Sequence, residues 1–425
     1  VPVRNVVVDW GGQTLLNLGD LAMVMVATRR LARIFPEARI HCTTHRPEDF
    51  RRFCPPAEPL LESAVQLLFW RRWLPGSLAR SLPPLAHLEE SLFRHYPIAS
   101  LGWRARRHLR DPSLAEAGAR AITALRDADL VVAAGGGYLT DAFEGYVLRI
   151  LGLLETAQHL GKPVVLLGQG LGPLTQPVLK TRVGEVLRKA RYLSLREGIR
   201  GPELLRNLNV TGPRIEVTGD DAIELVQENA PNLPGPGDLV GFNIRLARYA
   251  ATHPETWQAA AAVVDQFARE RRTRILPCPI DCDARHGDAA SVRNVLPAGA
   301  PLDTEPCPQD PVAVIQRVGR CRLVVTGSYH AAVFALSQGV PAIGLAKSAY
   351  YQDKFDGLAA QFGRACTVVR LDQSKAAELL RDRMDHAWSH GVEAGRESRT
   401  AADRQRAASW AAYQRLPALV ESNPG

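Results

Sequence analysis

The feature that most limits what this chain can become is its alternation of short β-rich runs with stretches of helical length, in two series. The first series is "VRNVVVDW", a helix over Gly19–Ile34, "ARIHCTT", "ADLVVAAGGG", a helix over Thr140–Leu160, "KPVVLLGQG", a helix over Gln176–Ala190, "RYLSLR", a helix over Gly198–Leu208 and "RIEVTGDD". The second is "LVGFNIR", a helix over Glu255–Arg271, "TRILPCP", a helix over Pro311–Gly319, "CRLVVTG", a helix opening near His330, "VPAIGL", a helix over Tyr351–Phe362 and "ACTVVRL". Between them lies "ENAPNLPGPGD" (Glu228–Asp238), dense in proline, glycine and asparagine, which reads as a linker or long loop. Alternation of this kind builds mainly parallel sheets with helices on both faces. The expected fold is therefore α/β, with two Rossmann-like domains (1–227 and 239–390) facing across a cleft. Residues 228–238 are the expected linker. A helical tail at 391–425 continues an Ala-, Arg- and Glu-rich stretch that begins at Lys375.

Residues 50–111 break the pattern. "LLFWRRWLPGSLARSLPPL" interleaves aromatics, arginine and proline and predicts a helical insertion in the first domain. It either packs on its own domain or docks at a lipid headgroup layer, so peripheral membrane contact stays open. No apolar run is long enough to span a bilayer. The net charge of +8 fits an anionic partner. The chain has no RNA-binding signature, zinc finger or basic tail, which argues against nucleic acid. Seven scattered cysteines do not make a disulfide framework and read as free thiols of a cytoplasmic protein. "CPIDC" (Cys278–Cys282) has metal-like spacing, with Cys307 and His286 as the nearest further ligands. It lacks a second clear ligand pair, so no metal is expected.

The motifs gather at predicted strand ends, where open α/β sheets bind ligands. "NLGD" places Asn17, Gly19 and Asp20 at a helix start, either as a cap or as ligand contacts. Gly135, Gly136, Gly137 and Asp141 follow one strand, and Gln169 closes another in "GQGLGPL". The glycines leave bare backbone for a ligand, yet the spacing is neither GxGxxG nor a phosphate loop. Arg196 and Arg245 end strands, and guanidinium groups grip carboxylate or phosphate through paired hydrogen bonds. In "VVTGSYHAAVF", Ser328 and Tyr329 are candidate anion contacts and His330 a candidate general acid or base. Lys347 and Lys354 follow the next strand.

Taken in order, "NLGDLAMVMVATRRL", "VVAAGGGYLTDAF", "LLGQGLGPL", "LSLREGIRGPELLRNL", "VTGDDAIEL", "GFNIR" and "VVTGSYHAAVFALSQGVPAIGLAKSAYYQDKFDGL" resemble the polysaccharide pyruvyltransferase family. The resemblance implies a fold like the type-B glycosyltransferases. It also implies transfer of a pyruvyl unit from phosphoenolpyruvate to a sugar hydroxyl, with an anionic small-molecule donor as co-substrate, a sugar acceptor and no further cofactor. His330 falls on the histidine of the family's Arg-Leu-His motif. That motif reads Ser328-Tyr329-His330 here, so the arginine expected to hold the donor is missing, and Arg245, Lys347 or Lys354 are its candidate replacements. A nucleotide-sugar glycosyltransferase and a non-catalytic sugar-binding relative are the alternatives on the same fold.

Overall fold

Two sheets form, one from each series, and every pairing between their strands is parallel. The computed structural model describes residues 2–69, 81–230, 237–245, 254–285 and 287–421. The first sheet holds β1 (Asn5–Asp9), β2 (Arg39–Thr44), β3 (Ala57–Leu61), β4 (Leu130–Ala133), β5 (Gly136–Leu139), β6 (Val164–Leu171), β7 (Tyr192–Leu195) and β8 (Arg214–Val217). Its order is β3-β2-β1-β4-β6-β7-β8, with β5 also paired to β6. The second holds β9 (Leu239–Asn243), β10 (Ile275–Pro277), β11 (Cys321–Thr326), β12 (Ala342–Ala346) and β13 (Cys366–Arg370), in the order β10-β9-β11-β12-β13. All residues of β4, β6, β9 and β12 are buried, as expected of strands covered by helices on both faces.

In each sheet the chain winds outward from one central strand and then returns to that strand's other side. The winding reverses between β1 and β4 in the first sheet and between β9 and β11 in the second. Crevices beyond the carboxyl ends of such strand pairs are where open α/β sheets take ligands. Asp9, the last residue of β1, is pinned there by Arg149, whose two terminal nitrogens donate to it at 2.6 and 2.7 Å.

Three expectations need correction. The strand Ala57–Leu61 lies within the stretch read as a helical insertion, yet it pairs with β2 as the sheet edge. The helices of that stretch are Pro47–Phe53, Glu62–Phe69, Pro83–His95 and Pro97–His108, and residues 70–80 lie outside the described residues. A helix over Asp288–Val295, not expected, lies between β10 and β11. The division placed at 390 falls inside one continuous helix, Ala376–Gln414. Of the expected linker, Glu228 and Asn229 end the helix Ala222–Asn229, and residues 231–236 lie outside the described residues. Among the described residues no helix is long and apolar enough to cross a membrane.

The lobes are fastened at two places. Near the cleft, Leu18 N–H donates to Ile280 C=O at 2.8 Å and Cys282 N–H donates to Leu16 C=O at 2.9 Å, so the loop before the first helix pairs with the second domain. On the far side the Ala376–Gln414 helix returns to the first domain. There Asp221, fully buried, receives hydrogen bonds from Arg30 (3.2 Å), from Tyr413 Oη (2.6 Å) and from Ser409. Removing one partner of a buried charge typically costs about 3–5 kcal/mol, so this fastening sets how the lobes face each other.

Candidate active site

A cleft of about 750 Å³ opens between the lobes at both winding reversals. The first domain lines it with Gly11, Gly12, Asn17, Asp20, Gly137, Tyr138 and Arg196. The second lines it with Arg245, Asp281, Ser328, Tyr329, His330, Tyr350 and Lys354.

His330 is in the first turn of the Tyr329–Ser337 helix and is 6% exposed. Its ring lies against Gly19 of the other domain. A Cβ added at Gly19 would fall 2.1 Å from both Cγ and Nδ1 of the imidazole. Only glycine permits this approach, which accounts for the glycine in "NLGD". His330 Nε2 lies 3.7 Å from Asp220 Oδ2, beyond hydrogen-bond distance, and both atoms are buried with no hydrogen-bond partner. Burial alone would raise the Asp220 carboxyl, but His330, Arg196 and the Ala222 N–H together hold it below the usual carboxylate range. Asp220 is therefore ionised at neutral pH, fixed opposite the ring.

Arg196 is 2% exposed. Its guanidinium lies 4.0 Å from the centroid of the Tyr329 ring and packs on the bare backbone of Gly137 and Gly170. The nearest carboxylate, Asp220, is 3.9 Å away, so no hydrogen bond satisfies the guanidinium donors among the described residues. Lys354 reaches the same place: a Cβ at Gly137 would lie 2.4 Å from Arg196 Nη2 and 3.1 Å from Lys354 Nζ. The Lys354 amine donates to Tyr350 Oη. Burial first, and Arg196 and Arg245 after it, push its pKa well below the ordinary lysine value, with Asp20 opposing in part. A guanidinium whose donors make no hydrogen bond and a lysine amine beside it, on backbone bared by glycine, are groups suited to an anionic ligand.

The two helix amino ends at the cleft differ. At the Leu18–Ile34 helix the first-turn donors are used up. Asn17 Oδ1 accepts from Gly19 N–H (3.1 Å) and Asp20 N–H (3.2 Å), so Asn17 is a cap that also lines the cleft. At the Tyr329–Ser337 helix, Ser328 gives no side-chain cap. The N–H groups of Tyr329, His330 and Ala331 have no acceptor among the described residues, and Tyr329 and His330 line the cleft.

Other expected residues are placed elsewhere. Gln169 is fully buried and donates to the carbonyls of Ala133 (3.0 Å) and Ala134 (2.8 Å), holding β4 and the loop after it. Asp141 accepts from Thr175 Oγ1 (2.7 Å) and ties its own turn to the loop after β6. Gly135 and Gly136 pack on Met23 and Tyr138 rather than lining the cleft. Lys347 does not line it either. Arg245 does, but it is paired with Asp281. The cysteine spacing divides: Cys278 is buried beside Cys321, while Cys282 Sγ lies 3.4 Å from Cys307 Sγ. His286 lies outside the described residues, and among those described no group of three or more metal-ligating side chains forms.

Three residues were not singled out from sequence. Asp220 stands in "GDD", which reads as a turn and helix start. Asp281 stands inside "CPIDC", where the cysteine spacing is the visible signal. Tyr350 stands in an aromatic pair with no distinguishing neighbour.

The comparisons with known proteins agree with this architecture. Among solved structures the chain is similar to UDP-GlcNAc 2-epimerase from Neisseria meningitidis bound to UDP-GlcNAc, at 9% identity, 98% of this chain, 99% of that one and a TM-score of 0.56. It is similar to a UGT transferase from Siraitia grosvenorii in complex with UDP, at 11% identity, 99% and 100% coverage and a TM-score of 0.55. It is also similar to the calicheamicin glycosyltransferase, at 14% identity, 100% coverage of both chains and a TM-score of 0.52. At such identities the likeness carries the fold alone, which is the two-domain type-B glycosyltransferase fold. No curated protein sequence matches the chain. The polysaccharide pyruvyl transferase family model matches residues 17–348. That match begins at the cap beside His330 and runs through both domains to the start of the helix carrying Lys354, and the chain belongs to the polysaccharide pyruvyl transferase family.

Proposed function

We propose that this transferase moves the pyruvyl unit of phosphoenolpyruvate onto a sugar hydroxyl. The observation that carries the reading is Arg196, a buried guanidinium without a hydrogen-bonded anion, converging with Lys354 on the bare backbone of Gly137. The donor presents two anionic groups, a carboxylate and a phosphate. Arg196, Lys354 and the uncapped amino end of the Tyr329–Ser337 helix supply separate places for them. Lys354 takes over from the arginine that the Ser328-Tyr329-His330 sequence lacks. Arg245 is held by Asp281, and Lys347 is away from the cleft.

In the reaction the first acceptor hydroxyl gives up its proton and its oxygen bonds to C2 of the donor as another proton reaches the donor's methylene carbon. Phosphate then leaves, and a second hydroxyl closes the ketal with release of its own proton. His330 gives the proton that the methylene carbon receives. Asp220 orients the ring and complements its protonated form, and Asp20 lines the same cleft where a hydroxyl proton must be taken up. Asp220→Asn keeps the shape and removes the charge. It is expected to lower kcat about tenfold or more, to leave KM for the donor within about twofold, and to move the alkaline limb of the pH–rate profile to lower pH. An unaltered profile would make Asp220 a merely structural carboxylate.

Lys354 gives a pH signature. Burial and the neighbouring guanidinium groups depress its pKa, and a bound anion raises it, so binding takes up a proton. Affinity for phosphoenolpyruvate should then fall as pH rises from neutral into the alkaline range. Titration calorimetry in buffers of different ionisation enthalpy reads the uptake directly. Lys354→Met should abolish the uptake and cost about 1.5–3 kcal/mol of binding, roughly 10- to 150-fold in Kd.

The free helix amino end favours one other reading, in which the diphosphate of a nucleotide sugar occupies it. Thermal unfolding with phosphoenolpyruvate or with UDP-sugars separates the two. A ligand at a hundred times its Kd adds about 2.7 kcal/mol. Stabilisation by UDP-sugars and not by phosphoenolpyruvate would replace the pyruvyl reading with the glycosyl one.

A further inference from the structure

Eleven large apolar side chains are exposed among the described residues, and six of them fall within one short stretch: Leu82, Leu85, Leu88, Tyr96, Ile98 and Trp103. Two consecutive helices carry four of them, and Leu82 and Tyr96 flank the first of these helices. Leu85 and Leu88, three residues apart, share one face of Pro83–His95. In Pro97–His108 the buried face is Pro97, Ser100, Leu101 and Arg104, with Arg104 stacked 3.6 Å from the Phe93 ring centroid. The remaining side points outward and presents Ile98 and Trp103, five residues apart and so on its two flanks, at 57% and 54% exposure. That helix ends on Arg106, Arg107 and His108, and the two arginines are exposed. The two helices thus expose apolar side chains together with arginine on the outside of the first domain.

We propose that this face is a docking surface for a bilayer containing anionic phospholipid. The chemistry of both parts fits that partner. Leucine and isoleucine enter the acyl boundary, tryptophan and tyrosine rest at headgroup level, and the arginines meet lipid phosphate. A protein partner anchors its hot-spot side chain in a pocket. The cavity under this face, lined by Leu92, Phe93, Trp103 and Arg104 among others, is only about 10 Å³. A bilayer needs no such pocket.

Co-sedimentation of the full chain with vesicles tests this. The protein should pellet with phosphatidylcholine vesicles that contain phosphatidylglycerol, should bind much less to pure phosphatidylcholine, and should be released by salt. Leu88→Glu with Ile98→Glu, and separately Arg106→Glu with Arg107→Glu, should each weaken binding at least about tenfold. All four side chains are exposed, so melting temperatures should not change. The proposal is overturned if the wild type stays in the supernatant with anionic vesicles, or if both double variants bind as tightly as it does. Light scattering that shows a dimer dissociated by Leu88→Glu with Ile98→Glu would also overturn it, by making a second copy the occupant.

Discussion

His330→Ala is expected to lower kcat for phosphate release from phosphoenolpyruvate, with a sugar acceptor present, by about 10²–10⁴-fold, the usual worth of a positioned general acid. The donor's anionic groups are assigned to Arg196, Lys354 and a helix end, so donor affinity should change by no more than a few-fold. The split between kcat and KM separates a proton donor from a binding residue. The ring fills a space between the lobes, and its loss also leaves a cavity against Gly19. His330→Gln fills much of that space and carries no titrating group, so it should be as inactive as alanine while folding better. Full turnover in either variant would remove His330 from the chemistry.

Gly19→Ala is the second large effect, and it reaches the same ring from the other domain. The new methyl would fall 2.1 Å from two ring atoms of His330, and 2.4 Å from its Cβ. Either the imidazole moves or the lobes part. Overpacking of this kind typically costs about 1–3 kcal/mol. Misplacing a catalytic group by about 1 Å costs roughly 10²-fold in rate. The diagnostic is a double-mutant cycle. With His330→Ala already in place the methyl has room, so Gly19→Ala should then destabilise little. If Gly19→Ala costs the same stability with and without the imidazole, the two residues do not touch in solution.

Much of this was readable beforehand because buried parallel strands write themselves as apolar runs that end in glycine and polar residues. β1, β4, β7, β9 and β11 all do so, and the residues after them include Gly19, Gly137, Arg196, Arg245 and His330. β3 escaped because "AEPLL" carries a charge and a proline, which only an edge strand tolerates. Gln169 and Asp141 were assigned to the cleft because a polar side chain beside glycine reads the same whether it faces a ligand or a neighbouring carbonyl. Their hydrogen bonds to the loops beneath decide for the second. Asp220 and Asp221 show the limit most clearly. They are adjacent and identical in type, yet one faces the His330 ring and the other anchors the returning helix. Only the packing of distant segments tells them apart.

That returning helix also imposes an order on synthesis. Asp221 and Tyr413 are 192 residues apart. At a translation rate of about 5–20 residues per second, the carboxylate, paired until then with Arg30 alone, waits roughly 10–40 s for Ser409 and Tyr413 to be made. Through that interval the nascent first lobe carries a charge it can neither bury nor pair in full. Until that helix has docked, the first lobe lacks the contact that fixes its angle to the second, so the cleft takes its working shape late in assembly.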